Sequence, residues 1–359
     1  MASVIDGAET VLADAQRICA VPAPTFSEGP RAELVTRLFA QAGASARLDE
    51  VGNVICRIGG EGRAAVFASH LDTVFGPELP IEIVRSAGRI AAPGIGDNSL
   101  AVAVLVHLAR RFTASPPLRP VVLVATVGEE GLGDLRGAKH IVSSIPCECF
   151  VAVEGMSLPS IEVGGIGSER YRVTYAGLGG HSWGDRGTAS AVHGLIGRAA
   201  ELLAVGLEPE VVLNVGRIRG GTSINTIAAE ATLELDLRAE DPAALKALAA
   251  RACRLLAAAP EGLQATVQLV GRRPAGAIDP DHPLLAAARR ARVGAGLPAA
   301  QEGSSSTDAN AAHGRGIPAV TVGVTTGAHA HRVDEYIDEA PVAGGLRALE
   351  LLADELTEG

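Results

Sequence analysis

The sequence predicts an α/β protein, a mostly parallel sheet flanked by helices, interrupted by an α+β insertion. Three observations predict it. Apolar strand-like runs alternate with helical periodicity as far as VAVEG at 151–155. From 168 to 272 the order becomes strand, helix, strand, strand, helix, strand. Helix–strand alternation then resumes, as expected when helices cover a parallel sheet on both faces.

In order, 5–20 and 27–43 read as helices, separated by Pro22 and Pro24, with Ser27 capping the second. NVICRIG at 53–59 and AAVFASH at 64–70 read as strands, and 81–94 as a hairpin. A buried helix at 99–112 precedes VVLVATVG at 121–128, a continuous apolar run of the kind found in parallel strands buried on both faces. A helix at 135–145 and a strand at 149–155 follow. The insertion reads as a strand from Ser168, a helix at 188–205, strands at 210–219 and 229–238, a helix at 241–258 and a strand at 264–271. That order is ferredoxin-like. LLAAARRARV, PAVTVGV and a helix at 340–357 complete the chain. Residues 1–167 and 273–359 therefore form a split domain around an insert at 168–272.

The chain's 359 residues are 47% hydrophobic but only 3% aromatic, so the core rests on Ala, Val, Leu and Ile. A net charge of −10 and no basic stripe argue against nucleic acid and anionic membranes as partners. No apolar window reaches membrane-span length and the N-terminus carries no basic leader, so the expected location is cytoplasmic. Five cysteines, an odd number, suit a reducing compartment, with Cys147 and Cys149 read as ordinary thiols.

The chemistry lies in metal-seeking residues at strand ends and in glycine turns: His70, Asp72, Asp97, Glu129, Glu130, Glu154 and His331. Two histidines and several carboxylates suffice for two divalent ions sharing one ligand, a hydrolase arrangement. In H-x-D, His70 ligates and Asp72 accepts the other ring N–H. Asp97, between Gly96 and Asn98, is free to bridge two ions. Of the adjacent Glu129 and Glu130, one ligates and the other is a general base. His329 rivals His331 for the late histidine ligand. His107 and His193 read as packing or surface groups, and His140, His282 and His313 as residues without a catalytic role.

SHLDTVF, GIGDNS, TVGEEGLGDLRGAKH, GLGGHSWGDRGTASAVH, GGTSINTIAAEATLELDLR, STDAN and HRVDEY together resemble the M20 family of metallopeptidases and related amidohydrolases, over nearly the whole length. The resemblance implies a zinc-peptidase-like catalytic domain and an inserted lid and dimerisation domain. It implies that Asp97 bridges two ions, most simply zinc, with cobalt or manganese as alternatives. His70 and Glu154 would complete one site, Glu130 and His331 the other. Asp72 would orient His70, and Glu129 would be the base. The peptide after Asp97 would be cis. His181 would stabilise the oxyanion across a homodimer, with Asn225 and Arg238 holding a substrate carboxylate and the insert closing over the site. Two features depart from the family: Asn98-Ser99-Leu100-Ala101 follows Asp97, and Glu154 stands where many relatives have Asp. The reaction implied is cleavage of a peptide or N-acyl amide beside a free carboxylate. The alternatives are an aminopeptidase reading a free α-amine and, more remotely, a non-catalytic binding protein.

Overall fold

The computed structural model describes residues 2–204 and 206–358. Met1, Val205 and Gly359, which the predicted helix and domain limits include, lie outside the described residues. Two compact units make up the chain: Met1–Gly165 with Ala277–Gly359, and Ile166–Gly276.

In the first unit, four strands run parallel in the order Val121–Thr126, Ala64–His70, Cys147–Glu154 and Ala319–Gly323. Antiparallel partners extend this core. Val54–Ile58 and Ala46–Leu48 lie on one side, and Ser160–Gly165 with its parallel neighbour Gln301–Ser305 on the other. Every residue of Ala64–His70 and Val121–Thr126 is buried, which is why both read as unbroken apolar runs. Alternation divides them between two apolar layers. Phe67, Leu123 and Val151 join the helices Ala2–Cys19, Gly29–Gln41, Leu100–Ala114, Pro283–Gly294 and Val342–Thr357. Val66, Val124 and Phe150 join Arg136–Ser144 and Ala309–His313. Burying a side chain such as Phe67 contributes roughly 1.5–3 kcal/mol.

The hairpin is shorter than predicted, Val84–Ser86 paired with Arg89–Ala91, and turns on Ala87 and Gly88, both with positive φ (51° and 75°). That is the mirror-image turn that matches strand twist. The second helix starts later than Ser27 implied. Glu28 precedes it, and the buried Glu28 carboxylate accepts the Phe26 N–H at 3.0 Å and an Arg136 N–H at 2.7 Å. The strands Ser160–Gly165 and Gln301–Ser305 were not predicted. Glycine and serine give them little strand signal. A two-for-one bulge around Glu148 puts Cys147 in one apolar layer and Cys149 in the other, so the two thiols cannot share an ion.

The second unit is a four-stranded antiparallel sheet in the order Val211–Gly220, Glu230–Ala239, Gly167–Ala176 and Gln264–Arg273. Helices Ala191–Leu203 and Pro242–Ala257 cover the face bearing Leu233, Leu235 and Leu237. Ser190 caps the first helix. Asp241 caps the second, ahead of Pro242 in its first turn. Among the described residues, no helix is long and apolar enough to cross a membrane.

Candidate metal centre

Parallel strands end where their side chains are free to face a ligand. His70 is the last residue of Ala64–His70, and Glu154 the last of Cys147–Glu154. Glu129 and Glu130 follow Val121–Thr126 after a turn at Gly128, whose φ is +68°. Asp97 lies in the Ile95–Ser99 turn, and its peptide bond to Asn98 is cis.

His70 Nε2 lies 3.0 Å from Asp97 Oδ1 and 3.8 Å from Glu154 Oε2. His331 Nε2 lies 3.1 Å from Asp97 Oδ2 and 3.0 Å from Glu130 Oε1. Asp97 therefore turns one oxygen to each imidazole. Two donor groups result, His70–Asp97–Glu154 and Asp97–Glu130–His331, and Glu129 joins a third with His70 and Glu130. His329 stays outside them, with Nδ1 3.0 Å from Asp334.

Two shared donor sets of imidazole and carboxylate fit two small cations. An ion about 2.0–2.2 Å from each donor would hold neighbouring donors roughly 3.4 Å apart, and those named here lie 3.0–3.8 Å apart. Electrostatics support the same reading. Burial opposes a charge on His70, yet the hydrogen bond to Asp97 and the charges of Glu154, Asp97 and Glu129 hold it well above its ordinary range. His331 is pushed up to about 10 by its hydrogen bonds to Asp97 and Glu130. Burial drives Glu154 well above the usual carboxylate range, with Asp97 and Glu129 adding to it against the pull of His70. Asp97 is held low by hydrogen bonds to His331 and His70, despite its burial. The excess of carboxylates holds protons on both imidazoles, and a cation bound there would have to displace them, since only a neutral imidazole ligates.

One expectation is corrected. The Asp72 carboxylate does not take the His70 ring proton, since its nearest oxygen is 3.8 Å from Nδ1. The Asp72 backbone carbonyl does, at 2.9 Å. The carboxylate instead accepts the N–H groups of Glu129 and Glu130, each at 2.9 Å, and the Thr25 hydroxyl at 2.9 Å. It fixes the turn that presents the two glutamates.

Three supporting residues escaped the sequence reading. Asn98, fully buried, donates to Val153 O (3.0 Å) and accepts from Gly155 N (2.9 Å), tying the Asp97 turn to the strand that carries Glu154. Glu335 accepts from the N–H groups of Gly94, Gly96 and Asp97 at 3.1, 2.7 and 2.9 Å. Thr25 is the third. Only adjacency in sequence to Asp97 and His331 hinted at the first two.

The remaining predicted residues belong to the second unit. His181 pairs with Thr226 in a short ribbon, and the Asn225 carbonyl accepts Ser182 N–H at 3.0 Å, so His181 and Asn225 are neighbours. His181 Nδ1 accepts the N–H groups of Trp183 and Gly184, each at 3.2 Å, which leaves the ring proton on Nε2. Arg238 stands on the sheet face opposite the helices and donates to Asp236 at 2.7 Å.

Paired histidine–carboxylate sets sharing one aspartate, at the ends of a parallel sheet, are a donor pattern suited to metal-dependent hydrolysis. Residues 66–355 match Peptidase family M20/M25/M40, and the chain belongs to that family. It is 25% identical over 331 residues to the uncharacterised protein YqjE of Bacillus subtilis (strain 168), covering 85% of this chain and 87% of that protein. It is 26% identical over 212 residues to succinyl-diaminopimelate desuccinylase of Legionella pneumophila (strain Paris), covering 52% of this chain and 56% of the desuccinylase. Its fold is shared with the crystal structure of aminopeptidase PepT from Bacillus cereus ATCC 10987, with a TM-score of 0.78, 21% identity and coverage of 98% and 99%.

Proposed function

We propose that the chain is a two-metal hydrolase that cleaves a peptide or N-acyl amide bond beside a free carboxylate. The observation that carries this reading is Asp97, with one oxygen on each histidine-bearing donor set. His70, Asp97 and Glu154 would hold one ion, and Asp97, Glu130 and His331 the other. Zinc is the first choice and cobalt or manganese the alternatives. Bound there, such ions polarise a carbonyl and acidify water. Glu129 takes the proton that water loses as its oxygen bonds the carbonyl carbon, then delivers it to the nitrogen as the C–N bond breaks. The backbone bond from Glu129 N to Asp72 holds that base in place. His181, with its proton on Nε2, is assigned to the developing oxyanion. Asn225 and Arg238 are assigned to the substrate carboxylate, for which a guanidinium fork is suited. A homodimer through the second unit and a cytoplasmic location complete the reading.

One observation favours the aminopeptidase alternative. Arg238 is already engaged by Asp236, which also accepts from Arg170 at 3.1 Å, so a substrate carboxylate must compete with Asp236. Arg238→Ala separates the two: it cripples an enzyme that reads a carboxylate and spares one that reads an amine. The primary test is a panel of dipeptides and N-acyl amino acids offered to metal-stripped protein, with and without zinc, cobalt or manganese. Metal-restored cleavage supports the hydrolase, and the products identify the end recognised. No cleavage by metal-loaded protein refutes it.

A further inference from the structure

Resting on the hydrolase reading, we propose that an apolar rim edges the metal centre and receives an apolar side chain or acyl group attached to the scissile amide. Phe26, Val74, Leu132 and Val333 form it, with 63, 44, 51 and 63% of their surface exposed. They are half of the first unit's exposed large apolar side chains among the described residues. Isolated surface apolar groups are ordinary. These four are set apart by where they stand. Val74 is two residues beyond Asp72, Leu132 two beyond Glu130 and Val333 two beyond His331. Phe26 follows Thr25, whose hydroxyl reaches Asp72.

Phe26 is held in its exposed position. Its φ of +74° is a conformation that bulky residues avoid. Its N–H is bound by Glu28, and the Arg136 guanidinium lies 5.5 Å from its ring centroid. Arg136 in turn crosses Gly128, the residue before Glu129, so closely that a Cβ there would lie 2.6 Å from its Nε. The bridge between Pro24 and Thr73 sets the Phe26 and Val74 segments side by side. Charges on the same loops are neutralised locally, Arg136 by Glu28 at 2.7 Å and Arg332 by Asp334 at 2.9 Å. The rim therefore offers carbon surface, and a substrate group matching it is aliphatic or aromatic.

The test measures dissociation constants of acetohydroxamate and phenylacetohydroxamate on zinc-loaded protein by calorimetry. The two share a metal-seeking head and differ by a phenyl group. Wild type should bind the phenyl compound at least about tenfold more tightly. Phe26→Ala combined with Leu132→Ala should bring the ratio below about threefold, leaving acetohydroxamate affinity and zinc content unchanged, and Phe26→Leu should restore part of it. A flat ratio in wild type, or an unaltered ratio in the double variant, overturns the rim. Preferential phenyl binding without cleavage of any amide in the panel upholds the rim and sinks the hydrolase. Cleavage with a flat ratio does the reverse.

Discussion

Glu335 accepts the backbone N–H of Asp97 at 2.9 Å, across 238 residues of sequence. One buried carboxylate thus belongs to the loop that carries His331 and also grips the turn that carries the shared aspartate. Glu335→Gln would turn an amide group toward the N–H donors of Gly94, Gly96 and Asp97 and loosen that grip. Zinc affinity should fall by about 10–100-fold, as for other residues that orient metal ligands, with little change in the far-ultraviolet dichroism. Competition with a chromophoric chelator measures it, and an unchanged affinity would assign Glu335 a packing role alone.

Glu129 and Asp97 should fail in different ways. Glu129→Gln removes the proposed base and leaves both donor sets whole, so kcat should drop about 10²–10⁴-fold with metal content intact. Asp97→Ala removes the shared donor, and elemental analysis should find metal lost together with activity. Equal metal loss in both variants would count against a separate base.

His70, Asp97, Glu129, Glu130 and Glu154 were legible because strand ends and glycine turns leave a one-dimensional trace: an apolar run, then His or Glu, or an Asp between small residues. His331 lies in a loop, where only the family resemblance set it above His329. The supports were not legible. Asp72 works through Glu129 and Glu130 N–H groups, 57 and 58 residues away, and Glu335 and Asn98 likewise bond to backbone atoms. Backbone donors carry no residue identity, so nothing in the partner's sequence marks the bond. The strand Gln301–Ser305 escaped for a different reason. Its Gly and Ser residues have low strand propensity, and pairing with Ser160–Gly165 overrides it.

Thr25→Val keeps shape but removes one of three hydrogen bonds to the buried Asp72 carboxylate. A hydrogen bond to a charged group contributes about 1.5–3 kcal/mol, so the urea midpoint should fall accordingly. Turnover should fall too as the Glu129–Glu130 turn loosens. A variant as stable as wild type would show that water replaces the hydroxyl.

His313 makes stability depend on pH. Burial pushes its imidazole down to about 4, and Nε2 has no hydrogen-bond partner among the described residues. The unfolded chain takes up this proton near the ordinary value of about 6.5, and the folded chain only near the lower one. Stability should therefore fall as pH drops from 6.5 towards 4 and level off below, by up to about 3 kcal/mol from this group. In His313→Leu that part of the slope should vanish, as urea titrations at pH 7, 5.5 and 4.5 would reveal.

The first unit's chain is interrupted between Gly165 and Ala277, and Glu130 meets His331 across 201 residues. At ribosomal speeds of about 5–20 residues per second, roughly 10–40 s separate the synthesis of these two donors. His70, Asp97, Glu129, Glu130 and Glu154 emerge early, as an acidic half-cluster short of one imidazole. The intervening ferredoxin-like unit is complete before the strand Ala319–Gly323 exists to pair with Cys147–Glu154. A nascent chain stalled before residue 331 would lack both His331 and Glu335, the carboxylate that grips the Asp97 turn. The cluster as a whole is therefore finished only after synthesis has passed His331 and Glu335.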